Sequence, residues 1–234
     1  MKDLFGQAIL DFQTNNSPED LITETSISEA DEMSISYLFR NYNEMPTIEQ
    51  KALQLCHGKI LDVGCGAGSH SLYLQEKGFQ VTSIDISENA IKACQLRGLK
   101  NAKVQNVLDL DSDLHPNDMF DTILLLMNGT GIFENLSQTP KYLQKLKSLL
   151  RPNGQILIDS SDIIYMYDYG DTPSSHYYGE LTFTISYKNQ VENTFPWLYL
   201  DYNLLEKIAL EAGLTSQRLI NGSHYDYLAR LFRS

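Results

Sequence analysis

No stretch of the chain approaches the ~20 uninterrupted apolar residues that a bilayer-spanning helix needs, which excludes a membrane-crossing segment and a membrane partner. The opening Met1-Lys2-Asp3-Leu4-Phe5-Gly6 has no long apolar core and carries an early acid, so it does not read as a signal peptide and the expected location is the cytoplasm. Cysteine is scarce: Cys56, Cys65 and Cys94 are odd in number and unrelated in spacing, which fits neither a disulfide framework nor a zinc site. They read as small buried hydrophobes, and no metal is expected. Positive charge is in deficit, with 18 Lys and Arg against 30 Asp and Glu and a net charge of -12. Nonspecific binding to nucleic acid draws its free energy from cations neutralising phosphates, so DNA or RNA is a poor partner for this chain. Internal repeats and low-complexity tracts are absent, and nothing in the pattern speaks to oligomeric state.

What remains is an ordinary alternation of short apolar runs and amphipathic segments, in 234 residues that suit one large domain with additions. Strands are predicted at Lys59 to Val63, Gln80 to Ile84, Ala102 to Asn106, Phe120 to Leu126 and Gln155 to Asp159. The helices between them are punctuated. One runs from Ser69 to Lys77 and stops at Gly78; the next opens at Ser87, a good N-cap, and stops at Gly98. A later one carries Pro140 in its first turn, places Leu143, Leu146 and Leu150 on one face, and is expected to stop at Pro152-Asn153-Gly154. Five strands joined by crossover helices predict an α/β fold with a doubly wound sheet.

Both ends of this unit carry additions. Residues 1–58 read as a helical extension, with Thr47 and Gln50 in a capping-box pattern and a helix from Ile48 to His57. After Asp159 the rhythm changes: eight of the fourteen tyrosines lie between Tyr165 and Tyr202, around the β-like run Thr182 to Tyr187, so 160–200 reads as an insertion. Asp201 then caps a helix ending at Gly213, and strands at Thr215 to Ile220 and Tyr225 to Phe232 flank a hairpin-type connection, Asn221-Gly222-Ser223.

Chemistry concentrates in Ile60-Leu61-Asp62-Val63-Gly64-Cys65-Gly66-Ala67-Gly68, a strand that breaks into three alternate glycines and enters a helix. Backbone without side chains can approach a ligand closely, and amides at the following helix start favour polar or negative groups. A dinucleotide fingerprint places its third glycine three residues after the second; here Gly68 follows Gly66 by two, a register that favours a nucleoside without a pyrophosphate. Asp85 stands twenty-one residues after Gly64 at the end of the second strand, where a carboxylate can accept both ribose hydroxyls. Asp109 follows the third strand and can accept an adenine amino group, or be a solvated loop acid.

This order and spacing resemble the class I S-adenosylmethionine-dependent methyltransferases, over Ile48 to the C-terminus. Ile60 to Gly68 is similar to the first motif of that family, Asp85 to its ribose acid, Asp109 to its adenine acid and Phe120 to Asn128 to its fourth motif. Leu149-Leu150-Arg151-Pro152-Asn153-Gly154-Gln155 resembles the turn before its fifth strand. The likeness implies a Rossmann-like sheet of seven strands, mostly parallel, with an antiparallel C-terminal hairpin. It implies a methyltransferase domain over 59–234; residues 1–58 read as the extension, whose Tyr37, Phe39, Arg40 and Tyr42 are candidates to close the site as a lid. It also implies S-adenosyl-L-methionine as cofactor and S-adenosyl-L-homocysteine as product, held by Asp62, Gly64, Cys65, Gly66, Gly68, Asp85, Ile86, Asp109, Leu110, Met127 and Asn128. Met127-Asn128-Gly129-Thr130-Gly131 and Phe39-Arg40-Asn41-Tyr42 look like a bacterial subgroup of such proteins. Base methyltransferases of DNA carry prolines and an aromatic after the fourth strand; Asn128-Gly129-Thr130-Gly131 departs from that pattern.

Methyl transfer from a sulfonium is an in-line displacement, so alignment and exclusion of water come first, and a base is needed only where the acceptor arrives protonated. No catalytic residue is assigned. His70, at the start of the helix after the glycine loop, reads equally as a site residue and as a helix-terminus histidine. On the substrate side the candidates are Asp162, Trp197 and Tyr199, the last two within an aromatic run that supplies apolar area with polar handles. The expected function is methyl transfer to a small-molecule acceptor. An aminopropyl transferase using decarboxylated cofactor and a non-catalytic cofactor-binding protein are the alternatives.

Overall fold

The computed structural model describes residues 2–111, 115, 117–168 and 171–233. In chain order these form α1 (Leu4–Thr14), β1 (Leu21–Thr25), β2 (Ser28–Met33), α2 (Thr47–Leu55), β3 (Lys59–Val63), α3 (Ser69–Glu76), β4 (Gln80–Asp85), α4 (Glu88–Leu96), β5 (Ala102–Val104) and β6 (Phe120–Leu125). There follow α5 (Thr139–Leu149), β7 (Leu150–Ser161), β8 (Glu180–Tyr187), β9 (Gln190–Val191), β10 (Phe195–Leu198), α6 (Tyr202–Glu211), β11 (Leu214–Asn221) and β12 (Asp226–Arg233). No described helix is long and apolar enough to cross a membrane.

A seven-stranded sheet runs in the order β11-β12-β7-β6-β3-β4-β5, so the last strand of the chain inserts between its two predecessors in the sheet. Pairs among β3, β4, β5, β6 and β7 are parallel, and β12 is antiparallel to both β7 and β11. Successive strand residues face opposite layers, which divides the core. Leu61, Ile123, Ile156, Ile158 and Ala229 pack with α5 and α6, while Ile60, Leu124, Leu157 and Leu228 pack with Ile48, Ala52 and Leu53 of α2. Helix ends follow local chemistry: the Ser87 and Asp201 side chains accept the amides of Ala90 (2.9 Å) and Leu204 (3.0 Å), and Pro140 occupies the first turn of α5.

Four expectations are corrected. The extension is not helical throughout: β1 and β2 form a hairpin, and β1 pairs with β8 of the insertion, giving a second, antiparallel sheet β10-β8-β1-β2 with β9 beside β8. β2 is largely solvated (Ser28 to Met33, pattern intermediate at the ends and exposed between), so it offers no apolar alternation to read. The box expected at Thr47 and Gln50 is absent; Pro46 occupies the N-cap and Gln50 Nε2 donates to Met45 O at 2.8 Å. α5 ends at Leu149, and Pro152-Asn153-Gly154 is a bulge inside β7, where the register jumps from Phe120↔Leu150 to Thr122↔Gln155. The third strand stops at Val104, short of Asn106. Tyr169, within the tyrosine-rich stretch, lies outside the described residues.

Candidate active site

The carboxyl ends of the parallel strands meet along one edge, where open α/β sheets bind their ligands. β3 ends in the glycine loop, with Gly64, Gly66 and Gly68 at φ +71°, +51° and +82°. Gly64 N–H and Cys65 N–H both donate to Ile84 O, at 2.9 and 3.1 Å, tying the loop to the end of β4. There the Asp85 carboxylate accepts Gly66 N–H through one oxygen and Ser87 N–H through the other, both at 2.9 Å. Burial raises the Asp85 pKa, against the pull of these two amides.

A side chain built on Gly66 would meet nothing within 4 Å, so the backbone faces open space of the sort a ligand occupies. Beside it Ile86 is 74% exposed, an apolar surface with no protein cover. Asp85 retains unfilled acceptor positions, since a carboxylate offers about four. Open backbone, a carboxylate and an uncovered apolar side chain fit a ribonucleoside carried by this edge.

Asp62, on β3, is buried and accepts Ser71 Oγ at 2.6 Å; Ser83 Oγ donates in turn to Ser71 Oγ at 2.6 Å, so Asp62 holds the first turn of α3 to the sheet. Burial raises its pKa. Cys65 lies against Cys94, with the sulfurs 3.9 Å apart, and Cys94 Sγ donates to Gly66 O at 3.1 Å. Asp109 is exposed at the end of a 3-10 turn after β5, and the neighbouring Leu110 carbonyl accepts Lys145 Nζ.

The extension covers the loop from outside. Ser69 Oγ donates to Leu38 O at 2.7 Å, and Arg97 Nη1 donates to Ala67 O at 2.5 Å while its guanidinium sits 4.6 Å from the Phe39 ring centre. Leu4, Ala8 and Ile9 of α1 pack in one cluster with Ala67, Ala90 and Ala93.

β6 ends in a turn of two consecutive left-handed residues, Met127 (φ +67°) and Asn128 (φ +60°), a conformation that costs energy outside glycine. A buried polar network holds it. The Asp159 carboxylate accepts Met127 N–H at 3.1 Å and Gly129 N–H at 2.9 Å. Asn128 Oδ1 accepts Ser160 Oγ at 3.0 Å; Thr130 Oγ1 lies 2.6 Å from Ser160 Oγ and donates to Leu198 O at 2.9 Å. Burial pushes the Asp159 pKa up to about 6, against the lowering effect of the backbone amides.

Met127 and Asp159 also line a cavity of about 500 Å³ between the two sheets. Tyr37 and Glu49 bound it from the extension, Tyr165, Leu181 and Tyr199 from the insertion, Ser161 from the end of β7, and Asp226 from β12, with His224 just before it. Glu49 is one member of a buried charge network: its Oε1 accepts Arg40 Nη2, and its Oε2 lies 2.6 Å from His70 Nε2. Burial alone would raise the Glu49 pKa, yet His70 and then Arg40 bring it below its ordinary value. Burial alone would lower the His70 pKa, and the bond to Glu49 with the nearby Asp62 charge raises it.

Of the substrate-side candidates, Tyr199 lines the cavity, and burial pushes its pKa up to about 12. Asp162 does not; it accepts Tyr178 O–H at 2.8 Å and Ile164 N–H at 3.1 Å. Trp197 also lies outside it, packed where a side chain on Gly131 would fall, 2.0 Å from that Cβ position. Sequence reasoning passed over Glu49 and Asp159. The signal for Glu49 was present: Glu49, Ala52, Leu53 and Cys56 form one buried helical stripe, and an acid within an apolar stripe demands a partner.

A seven-stranded sheet with its last strand inserted antiparallel, a glycine loop and an acid at the next strand end together define a nucleoside-binding α/β protein with an adjoining small cavity. A family profile described as "Methyltransferase domain" matches residues 56–197. A solved S-adenosylmethionine-dependent methyltransferase from Bacteroides fragilis, in complex with S-adenosyl-L-homocysteine, is 42% identical and superposes with a TM-score of 0.90 over 100% of this chain and 95% of that one. Glycine N-methyltransferase of Rattus norvegicus is 30% identical over 167 residues, 64% of this chain and 57% of that protein. Ubiquinone biosynthesis O-methyltransferase of Xanthomonas euvesicatoria pv. vesicatoria is 30% identical over 113 residues, 46% and 45% of the two chains. The chain thus spans about half the length of these curated relatives. It belongs to the class I S-adenosylmethionine-dependent methyltransferases.

Proposed function

We propose that the protein transfers the methyl group of S-adenosylmethionine to a small molecule seated in the cavity between the sheets. The observation that carries this reading is the position of Met127, which packs against the cluster containing Ala67 of the glycine loop and also lines the cavity. A volume of about 500 Å³ suits a small acceptor, since pockets for such ligands run from roughly 300 to 1,000 Å³. Residues 1–58 and the insertion 160–200 serve as its walls and lid.

In this reading Gly64, Cys65, Gly66 and Gly68 present backbone to the methionine part of the cofactor, with Asp62 holding the loop's exit. Asp85 accepts the ribose hydroxyls, Ile86 and Leu110 flank the base, and Asp109 accepts its amino group. Met127 and Asn128 form the boundary towards the acceptor. The bound cofactor supplies an electrophilic methyl group. The chain's own work is to align the acceptor with that group and to exclude water, which is where most of the rate gain of such a displacement arises.

Calorimetric titration with S-adenosylmethionine and S-adenosylhomocysteine tests the first half, with dissociation constants in the micromolar range expected. Formation of S-adenosylhomocysteine across a panel of small acceptors tests the second. Absence of binding by either nucleoside at millimolar concentration refutes the reading.

A further inference from the structure

Three of the side chains lining the cavity are carboxylates, Glu49, Asp159 and Asp226, and none is a lysine or arginine. Glu49 is neutralised from behind by Arg40 and His70. Asp159 is different. It is 7% exposed, its oxygens meet two backbone amides, and among the described residues no Lys, Arg or His reaches ion-pair distance of it. Asp226 likewise accepts a backbone N–H, that of His224 at 2.8 Å, and has no ion-pair partner among the described residues.

A carboxylate taken out of water without a counter-charge is costly, and protein interiors ordinarily supply a cation to it. Here the space in front of Asp159 is the acceptor cavity itself. Resting on the methyltransferase reading, we infer that the acceptor is an amine, entering as an ammonium ion that pairs with Asp159, with Asp226 adding to the field and Tyr37, Tyr165 and Tyr199 taking its carbon frame. Tyrosine ring faces attract a cation, and the rings' apolar area suits its carbon body. A carboxylate-bearing or phosphorylated acceptor would meet the Asp159 and Asp226 carboxylates and no Lys or Arg, with the His224 imidazole as the one basic side chain among the described residues of the lining.

The pairing also moves the proton that the chemistry must remove. An ammonium nitrogen has no lone pair, so one proton passes to the Asp159 carboxylate. The freed pair then forms the N–C bond as the methyl C–S bond breaks and its electrons stay on sulfur. The product is an N-methylammonium ion with the neutral thioether, and Asp159 returns its proton to water as the product leaves. A carboxyl group pushed up to about 6 suits that exchange better than an ordinary aspartate.

The test uses the full chain saturated with S-adenosylhomocysteine and calorimetric titration of matched probes. These are tyramine, 2-phenylethylamine and glucosamine, each against the carboxylic acid and the alcohol of the same carbon frame. At least one amine is expected to bind, and to exceed both of its matched partners by about tenfold or more. Asp159→Asn should abolish that preference when read at a S-adenosylhomocysteine concentration that saturates the variant. Because Asp159 also holds the Met127 turn, Asp226→Asn is the second variant, expected to weaken amine binding about threefold. Acids binding as tightly as amines, saturation by S-adenosylhomocysteine with no amine bound, or amine affinity unmoved in both variants each overturns the assignment while leaving the methyltransferase reading standing. Failure to bind S-adenosylhomocysteine strikes that reading instead.

Discussion

Replacing Glu49 with glutamine isolates the buried charge network that joins the extension to the helix after the glycine loop. Arg40, Glu49 and His70 are 8%, 3% and 8% exposed, so solvent screens little of their interaction. In Glu49→Gln the side chain keeps its shape and one oxygen for Arg40, but the guanidinium is left buried without a counter-charge. Breaking a buried pair in this way costs about 3–5 kcal/mol, and the retained oxygen places the expectation at the lower end, about 3 kcal/mol. For a chain of this size that corresponds to a fall in melting temperature of roughly 6–12 °C. Thermal unfolding followed by circular dichroism at constant ionic strength measures it. The double variant Arg40→Met with Glu49→Leu removes both charges and should recover most of the loss, because the penalty lies in the orphaned ion. The pH dependence is also fixed. The His70 pKa is raised above its ordinary 6.5, so its contribution is complete below 6.5 and is lost as pH climbs through the folded value. The Glu49 pKa is lowered from 4.5, so its contribution is present above 4.5 and lost as pH falls through the folded value. The gap in melting temperature between wild type and Glu49→Gln should therefore be widest between pH 4.5 and 6.5 and narrow above, without vanishing, since Arg40 stays charged. A shift under about 2 °C, or a double variant no better than the single, refutes the reasoning.

Gly68→Ala should lose about 2–4 kcal/mol and weaken S-adenosylhomocysteine binding, because Gly68 has φ +82° and an added Cβ would lie 2.7 Å from Leu99 Cδ1 and 2.8 Å from Cys94 Sγ. Gly98→Ala is its control: at φ +94° with nothing within 4 Å it carries the backbone cost alone, about 1–2 kcal/mol, and equal losses in the two variants would sink the packing argument. Amine affinity of the S-adenosylhomocysteine-loaded protein, read by titration calorimetry, should rise from pH 5 to 7 as Asp159 ionises through about 6, with the Glu49 charge raising and the His70 charge lowering that value and with Asp226 and His224 in the same lining. A flat profile over that interval separates Asp159 from the binding event.

The sheet was legible because its signals are local. Lys59 to Val63 and Phe120 to Leu125 are short, mostly apolar runs, and Ser87, Asp201, Gly78 and Gly98 mark helix ends within a residue or two. The hairpin β1–β2 was not. Its buried side chain is Leu21 at one end, and its pairing with β8 joins residues more than a hundred and fifty positions apart, as in Ile22↔Ser186. Pro152-Asn153-Gly154 misled for a related reason. The same residues that end a helix also form a bulge at a strand's start, and what decides is β6 alongside, which no local pattern contains.

The same division runs through the candidate site. The glycine loop, Asp85 and Asp109 lie within one stretch of fifty residues and follow from strand order. The cavity draws on the hairpin, α2, the ends of β6 and β7, the insertion and β12, and its residue types carry no spacing to read. Yet the two halves are one mechanical unit. Ser160 Oγ accepts Leu200 N–H at 2.9 Å and donates to Asn128, and Thr130 bonds Leu198 O, so the return of the insertion is pinned to the very turn whose Met127 stands between loop and cavity. Asp159, one residue from Ser160, clamps that turn from the cavity side. On the proposed reading, an acceptor that pairs with Asp159 would engage the group that sets the backbone at Met127, so that a single carboxylate would couple occupancy of the cavity to the boundary towards the methyl donor.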